Sequence, residues 1–284
     1  MGLIVNGRVE SVPGLTCTSW QDDARLRLKM GEDGRKRPSG SWRVRGIVLH
    51  TTRGLPLSLA ANPPPRILPG KGPATNIERD VNHWWSIDAR NAGAHLIVDY
   101  DASVACLADL LLEETYHAGP VNPVTVGIEI AQRADLCLFE EQLEGVVALV
   151  DWLTDKFQIQ RQIPRRGVTY YKQGMIIPRC AAGGRDVVGV YGHRDVTLQR
   201  GWGDPGDAVF AALERSGYEA VDFAASEDRD LWRTRQAALG MAAVDQDGIP
   251  GPRTAAAIAA WQLSVGREAT GVLAADERDM LSGV

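Results

Sequence analysis

The stretch GIVLHTT, residues 46–52, decides the predicted fold, because it is an apolar run that ends in a histidine and two threonines. Three similar runs follow it: AHLIVD at 94–99, VTVGIEI at 124–130 and VVGVY at 187–191. Short apolar runs of this length are typical of buried strands. Since the spacing between them leaves room for helices, the sequence predicts an α/β core.

Helical patterning is clearest from Leu143 to Phe157, where apolar residues recur at helical intervals with acidic residues between them. A shorter helix is predicted after DPG at 204–206. The turn DAS at 101–103 is predicted to fold AHLIVD back onto VACL at 104–107 as a hairpin.

The composition of the 284 residues, with 44% hydrophobic and 24% charged residues, is that of a globular protein. The net charge of −5 argues against a protein that coats nucleic acid, because such domains are usually basic. No apolar run approaches the roughly eighteen residues of a membrane span, so no membrane insertion is predicted. The first residues lack the pattern of a signal peptide. We therefore expect synthesis in the cytoplasm, four cysteines that are reduced and mostly buried, and a monomer.

Three segments are predicted along the chain. Residues 1–41 form an N-terminal extension, residues 42–220 form the catalytic domain and residues 226–284 form a small C-terminal domain. The last segment is set apart because it is rich in alanine and has helical periodicity throughout.

Two of the five histidines end predicted strands, and both are candidate metal ligands. His50 ends the first run, His193 ends the last, and Asp204 follows shortly after. Strand carboxyl ends are where α/β folds present ligand-binding residues. Two histidines and a carboxylate can supply three ligands to a zinc ion and leave a fourth position for water. The spacing alone also fits histidines that only form hydrogen bonds within the fold.

Glu129 is the only charged residue in VTVGIEI, a run otherwise apolar enough to be a buried strand. A buried carboxylate is costly unless it is paired or catalytic. Beside a metal-bound water it can act as the general base and then the general acid of hydrolysis. The alternative is a glutamate that faces solvent from a half-buried strand.

Five motifs in this order resemble the zinc-dependent N-acetylmuramoyl-L-alanine amidase family, whose fold is shared with peptidoglycan recognition proteins. They cover residues 42–216 and are IVLHTT, AHLIVDYDASVACLAD, YHAG, VGIEI, and GHRDV followed by DPG. The resemblance implies an α/β fold with a mixed central β-sheet flanked by helices. It also implies that His50, His193 and Asp204 hold zinc and that Glu129 is the catalytic acid/base.

One position departs from the family pattern. Related amidases often carry a lysine two residues before the last ligand, where this chain has Trp202, and Arg200 is the candidate to replace it in catalysis. His117 in YHAG matches a family position near the cleft, where substrate binding and structural hydrogen bonding are both open. His83 and His95 are expected to be structural.

Four motifs of the tail resemble a peptidoglycan-binding module of three helices: LWRTRQ at 231–236, DGIPGPRT at 247–254, AWQ at 260–262 and TGVL at 270–273. Thr254 is predicted to cap a helix whose core face includes Ile258, Trp261 and Leu263. Trp261 is expected in this small core rather than in a sugar-binding platform.

Together the resemblances imply zinc-dependent hydrolysis of the amide between N-acetylmuramic acid and L-alanine of peptidoglycan, by an endolysin that reaches the wall after release or export. The alternatives are a non-catalytic recognition protein, a regulator that binds a polymerase, an amidase of cell-wall recycling, and an antibacterial effector. Retention of all three ligands argues against recognition alone. The appended module argues for intact wall as the substrate.

Overall fold

The computed structural model describes residues 1–29, 37, 44–52, 66–86, 92–133, 135, 137–164, 189–196, 204–221, 229–246, 252–271, 273, 277, 280 and 281. Its strands are β1 Leu3–Val5, β2 Arg8–Glu10, β3 Cys17–Ser19, β4 Gly46–Thr51, β5 Ile67–Leu68, β6 Leu96–Val98, β7 Val104–Cys106, β8 Thr125–Ile130, β9 Leu138–Phe139, β10 Gln162–Pro164, β11 Gly189–Gly192 and β12 Glu219–Val221. Its α-helices are α1 Ile77–Ser86, α2 Glu140–Phe157, α3 His193–Val196, α4 Asp207–Arg215, α5 Arg229–Ala238 and α6 Pro252–Ser264.

A six-stranded sheet in the order β11-β4-β8-β6-β7-β3 is the centre of the fold. The strands β11, β4, β8 and β6 are parallel, whereas β7 runs antiparallel to β6. The predicted mixed sheet flanked by helices is therefore confirmed, and so is the hairpin between β6 and β7. Because four parallel strands end at one edge of the sheet, the polar residues at their carboxyl ends are brought together.

The two faces of the sheet carry different residues, because successive side chains of a strand point to opposite sides. Ile47, Leu49 and Ile128 belong to the main hydrophobic core, which includes Leu149 of α2 and Phe210 of α4. Both helices were predicted. The face opposite α2 therefore takes the alternate residues of β4 and β8, which include the candidate site.

The described part of the N-terminal segment packs against this sheet. The strand β3 pairs in parallel with β7 at the sheet edge, and β1 and β2 form a hairpin. Leu26 and Leu28 pack with Trp85 of α1 and Ile97 of β6 in a second core cluster. The boundary at residue 42 remains a prediction, but the first 29 residues contribute both a strand and core side chains to the unit built on the central sheet.

The tail has its own small core, in which Trp232 of α5 packs against Ile258 of α6, Leu273 and Leu281. The prediction that Thr254 caps a helix of this domain is wrong. Thr254 lies inside α6 rather than before it, and its hydroxyl accepts a hydrogen bond from Gln236 Nε2 at 3.1 Å.

The prediction that Leu263 lies on the core face of α6 is also wrong. Its side chain is 66% exposed, whereas that of Ile258 on the same helix is 3% exposed. Trp261 packs against the small core, as expected. Cys17, Cys106 and Cys137 are free and buried, whereas Cys180 lies outside the described residues. Among the described residues, no helix has the length and apolar character needed to cross a membrane.

Candidate active site

The site forms at the carboxyl edge of three neighbouring parallel strands. His50 is the fifth residue of β4, and His193 begins α3 directly after β11. Glu129 of β8 is the register partner of His50. Because partners in parallel strands face the same side of a sheet, their side chains leave the sheet together, away from α2.

His50, His193 and Asp204 each place one potential ligand atom in a common group, in which all three atoms lie within 4.8 Å of one another. His50 Nδ1 lies 2.9 Å from His193 Nδ1, which lies 3.1 Å from Asp204 Oδ2. The structure thus brings His50 together with His193 and Asp204, which lie 143 and 154 residues later in the chain.

The donor set fits a zinc ion. Ligands about 2.0–2.1 Å from a tetrahedral zinc ion lie about 3.3 Å from each other, close to the separations seen here. All three side chains are buried. Two imidazole nitrogens and one carboxylate also match the ligand classes of catalytic zinc sites, which keep a position open for water.

Asp204 is held by the backbone next to the first histidine. The N–H of Thr51 donates to Asp204 Oδ1 at 2.9 Å, which leaves Oδ2 toward His193. Burial raises the pKa of the Asp204 carboxyl, but the hydrogen bond to His193 and the nearby charges of His50 and His193 outweigh it. The pKa therefore lies below its usual value, which favours the ionised form that a metal requires.

Asp195 and Gly192 shape the turn that carries His193, and neither was predicted as a site residue. Asp195 Oδ2 accepts the N–H of Gly192 at 2.7 Å, which closes the turn from β11 into α3. A Cβ on Gly192 would lie 2.9 Å from Pro205 Cδ, so glycine lets the Asp204 loop approach the strand. The GHRD motif was the available signal, since its aspartate lies two residues after the histidine.

Glu129 lies beside His50 across the β4–β8 pair and is buried. This position keeps a carboxylate on the same face of the sheet as the three candidate ligands. It is therefore a candidate for a group that exchanges protons at this site.

His117 lies beneath His50. Its Nδ1 is 3.2 Å from His50 Nε2, and its Nε2 is 3.1 Å from Thr125 Oγ1. Burial, with smaller contributions from His95, His193 and Arg37, holds the pKa of His117 well below its usual value. The ring is therefore neutral at physiological pH.

His95, expected to be structural, lies below His117 and is fully buried. Its Nδ1 accepts the N–H of Gly127 at 3.0 Å, so its Nε2 carries the proton and donates to the carbonyl of Glu113 at 3.0 Å. Burial and the adjacent Arg37 lower the pKa of His95 to about 3. His83 is exposed on α1.

Arg37 anchors the end of the N-terminal segment under the site. Its guanidinium donates to the carbonyls of Pro123 and Thr125, both at 2.6 Å, and lies 3.1 Å from His95 Nε2. This role of Arg37 was not predicted from the sequence. Arg200, the predicted replacement for the family lysine, and Trp202 both lie outside the described residues.

The chain is similar to known proteins both in sequence and in fold. A family model described as N-acetylmuramoyl-L-alanine amidase matches residues 40–207, more than half of the chain. No curated protein sequence matches the chain significantly.

Three solved structures illustrate the similarity in fold. Drosophila peptidoglycan recognition protein SD has 12% identity and a TM-score of 0.42, over 74% of this chain and 99% of that one. N-acetylmuramoyl-L-alanine amidase LysC from Clostridium intestinale has 15% identity and a TM-score of 0.37, over 71% and 98%. Staphylococcus aureus hydrolase AmiA has 13% identity and a TM-score of 0.37, over 92% and 89%.

Proposed function

Since the chain belongs to the N-acetylmuramoyl-L-alanine amidase family, we propose that it hydrolyses the amide between N-acetylmuramic acid and L-alanine in bacterial peptidoglycan. The observation that carries the proposal is the group of His50, His193 and Asp204, with Glu129 next to His50 on the same face of the sheet. These residues supply a metal-binding set and a carboxylate base at one place.

The proposed cofactor is zinc, held by His50, His193 and Asp204. Zinc bound there would polarise the amide carbonyl and make a water molecule easier to deprotonate. Glu129 accepts the proton of the attacking water and delivers it to the nitrogen of the departing L-alanine. Arg200 is proposed to stabilise the negative charge that develops on the carbonyl oxygen, in place of the family lysine.

Of the two roles open for His117, hydrogen bonding within the protein has the stronger support. The side chain is 7% exposed, and both of its ring nitrogens have partners inside the protein. A direct substrate contact would require the ring to give up one of these partners.

We propose that residues 226–284 hold the enzyme on its polymer. Binding to the wall raises the local concentration of cleavable bonds without adding chemistry. The buried core around Trp232 supports an independently packed module of this kind. We further propose a lytic role on intact wall, reached after release from or export by the producing cell.

The test is digestion of purified cell wall followed by mass spectrometry. We expect stem peptides with a free N-terminal alanine and glycan strands without peptides, with activity lost to a chelator and restored by zinc. A zinc-free protein that binds the wall without cutting it would support the recognition alternative instead. Faster cleavage of small soluble muropeptides than of intact wall would support recycling.

A further inference from the structure

Four buried imidazoles form a row that starts at the candidate metal site. Ring centroids are separated by 4.5 Å from His193 to His50, 5.3 Å from His50 to His117 and 5.7 Å from His117 to His95. The first two rings supply candidate ligand atoms. His117 contacts His50 but does not itself belong to the group of candidate ligands, so its role has to be found elsewhere.

The hydrogen-bond partners of Thr125 fix the first proton of this network. Thr125 Oγ1 lies 2.8 Å from the carbonyl oxygen of Val121, which can only accept, so the hydroxyl donates to it. Its single proton is then used. The contact of 3.1 Å between Thr125 Oγ1 and His117 Nε2 is therefore donated by the histidine.

The proton on His50 leads to the same arrangement from the other end of the row. A metal-binding His50 presents a lone pair at Nδ1, the atom that faces His193 Nδ1, and carries its proton on Nε2. That proton needs an acceptor, and His117 Nδ1 lies 3.2 Å away. With its own proton on Nε2, His117 offers a lone pair at Nδ1. Both ends of the network thus require the same arrangement.

Gly127 and Asn122 hold the His117 ring in this position. A Cβ on Gly127 would lie 2.5 Å from His117 Cγ, so the ring lies directly against the bare backbone of β8. Asn122 Oδ1 accepts the N–H of His117 at 3.2 Å and that of Ala118 at 2.6 Å. Close packing against β8 therefore confines the ring, and Asn122 fixes the backbone that carries it.

We propose that His117 and Thr125 are positioning residues that keep His50 in the tautomer with Nε2 protonated, and thereby set Nδ1 as the metal ligand. The inference rests on the proposed zinc site. Hydrogen-bond partners of this kind fix the tautomer and orientation of a ligating histidine, and their loss typically costs about 10–100-fold in metal affinity. His117 acts through His50 and not on the substrate.

The experiment measures the dissociation constant for Zn²⁺ of the full chain by competition with a chelating dye. His117→Leu removes the acceptor for His50, whereas His117→Asn keeps an acceptor branched from Cγ at the place of Nδ1. We expect His117→Leu to weaken zinc binding about 10–100-fold and His117→Asn to recover most of the affinity. Thr125→Val replaces the hydroxyl that accepts the Nε2 proton of His117 with a methyl group. It is also expected to weaken zinc binding.

His95→Asn is the matched control, because His95 is also buried but contacts Gly127 and Glu113 rather than His50. We expect it to lower thermal stability and leave the zinc affinity unchanged. A second readout needs no metal: the ring ¹⁵N shifts of His50 in chelator-treated protein should report a proton on Nε2 in the wild type. A mixture of tautomers is expected in Thr125→Val.

The outcomes separate this inference from the proposed function. A wild-type protein that binds no zinc overturns both. If the wild type binds zinc but folded His117→Leu or Thr125→Val binds it equally tightly, only the positioning role is overturned. Equal losses of zinc affinity in His117→Asn and His117→Leu would also overturn it. If His117 only filled space, it would not matter that asparagine offers a hydrogen-bond acceptor and leucine does not.

Discussion

Thr51 donates its backbone N–H to Asp204 Oδ1 at 2.9 Å, although 153 residues separate the two. Thr51 directly follows His50, so the strand that supplies one candidate ligand also orients the carboxylate of another. The backbone of β4 thus sets two of the three donors at once.

Asp204→Ala is expected to abolish zinc binding at neutral pH. It removes one of three donors and leaves the N–H of Thr51 without its carboxylate. We expect metal content after dialysis to fall below detection and wall cleavage to be lost with it. Glu214→Ala, at an exposed position of α4, is the control and should retain both. Zinc retained at full occupancy in folded Asp204→Ala would refute the assignment.

Glu129→Gln is expected to keep zinc and lose turnover. The amide preserves the size of the side chain but cannot accept the proton of water, so kcat should fall by about 10²–10⁴-fold. Glu144→Gln on α2 is the control, because that exposed carboxylate lies on the helix that covers the other face of the sheet. An active Glu129→Gln enzyme would show that another group is the base.

Because of His95, the folded protein is expected to lose stability in acid. Its pKa is about 3 in the fold, against 6.5 for an ordinary histidine, so below about pH 6.5 the unfolded chain binds a proton that the folded chain does not. The stability contribution is complete above that pH and is lost progressively as the pH falls to about 3. The slope is at most about 1.4 kcal/mol per pH unit.

The measurement is urea unfolding between pH 7 and pH 4, with a chelator present so that metal release does not contribute. His95→Asn should flatten the acid slope of the unfolding free energy, whatever it does to stability at neutral pH. An unchanged slope would mean that His95 does not titrate on unfolding.

Removal of residues 1–41 is expected to destabilise the catalytic domain. The deletion takes away β3, the buried Leu26 and the guanidinium of Arg37. Each large buried aliphatic side chain contributes roughly 1.5–3 kcal/mol, and whole domains are stable by only about 5–15 kcal/mol. Circular dichroism should show a large drop in Tm or an unfolded chain.

A different result would follow if the segment only contacted anionic wall polymers. The shortened chain would then keep its Tm and lose affinity for the wall. Arg8→Gln and Lys29→Gln provide the comparison, because both side chains are exposed and their loss changes charge without removing core residues.

The sequence predicted the strands that lie in apolar runs, and it missed strands that do not. Both β4 and β8 are six residues long, buried and mostly apolar, so composition reveals them. The strand β3 consists of the three residues CTS, which lie outside any apolar run, and it pairs with a strand far along the chain. Its place depends on tertiary contacts that local patterning does not carry.

At the candidate site, the sequence predicted residue types and not their connections. Polar residues at the ends of apolar runs pointed to His50 and His193, and a lone carboxylate inside such a run pointed to Glu129. The N–H of Thr51, in contrast, is a backbone group that every residue but proline has, so no residue type indicates its bond to Asp204. Thr125 was equally hidden, because threonine is an ordinary residue in a strand.

The order of the strands has a consequence for incomplete chains. The strand β11 lies at the outer edge of the sheet and is the last of its six strands to be synthesised, and two of the three candidate metal ligands follow it. A chain that stops short of residue 189 therefore contains His50 and Glu129 but only one of the three candidate ligands. On the proposed function, nascent or proteolytically shortened chains of this kind are expected to leave the wall uncut.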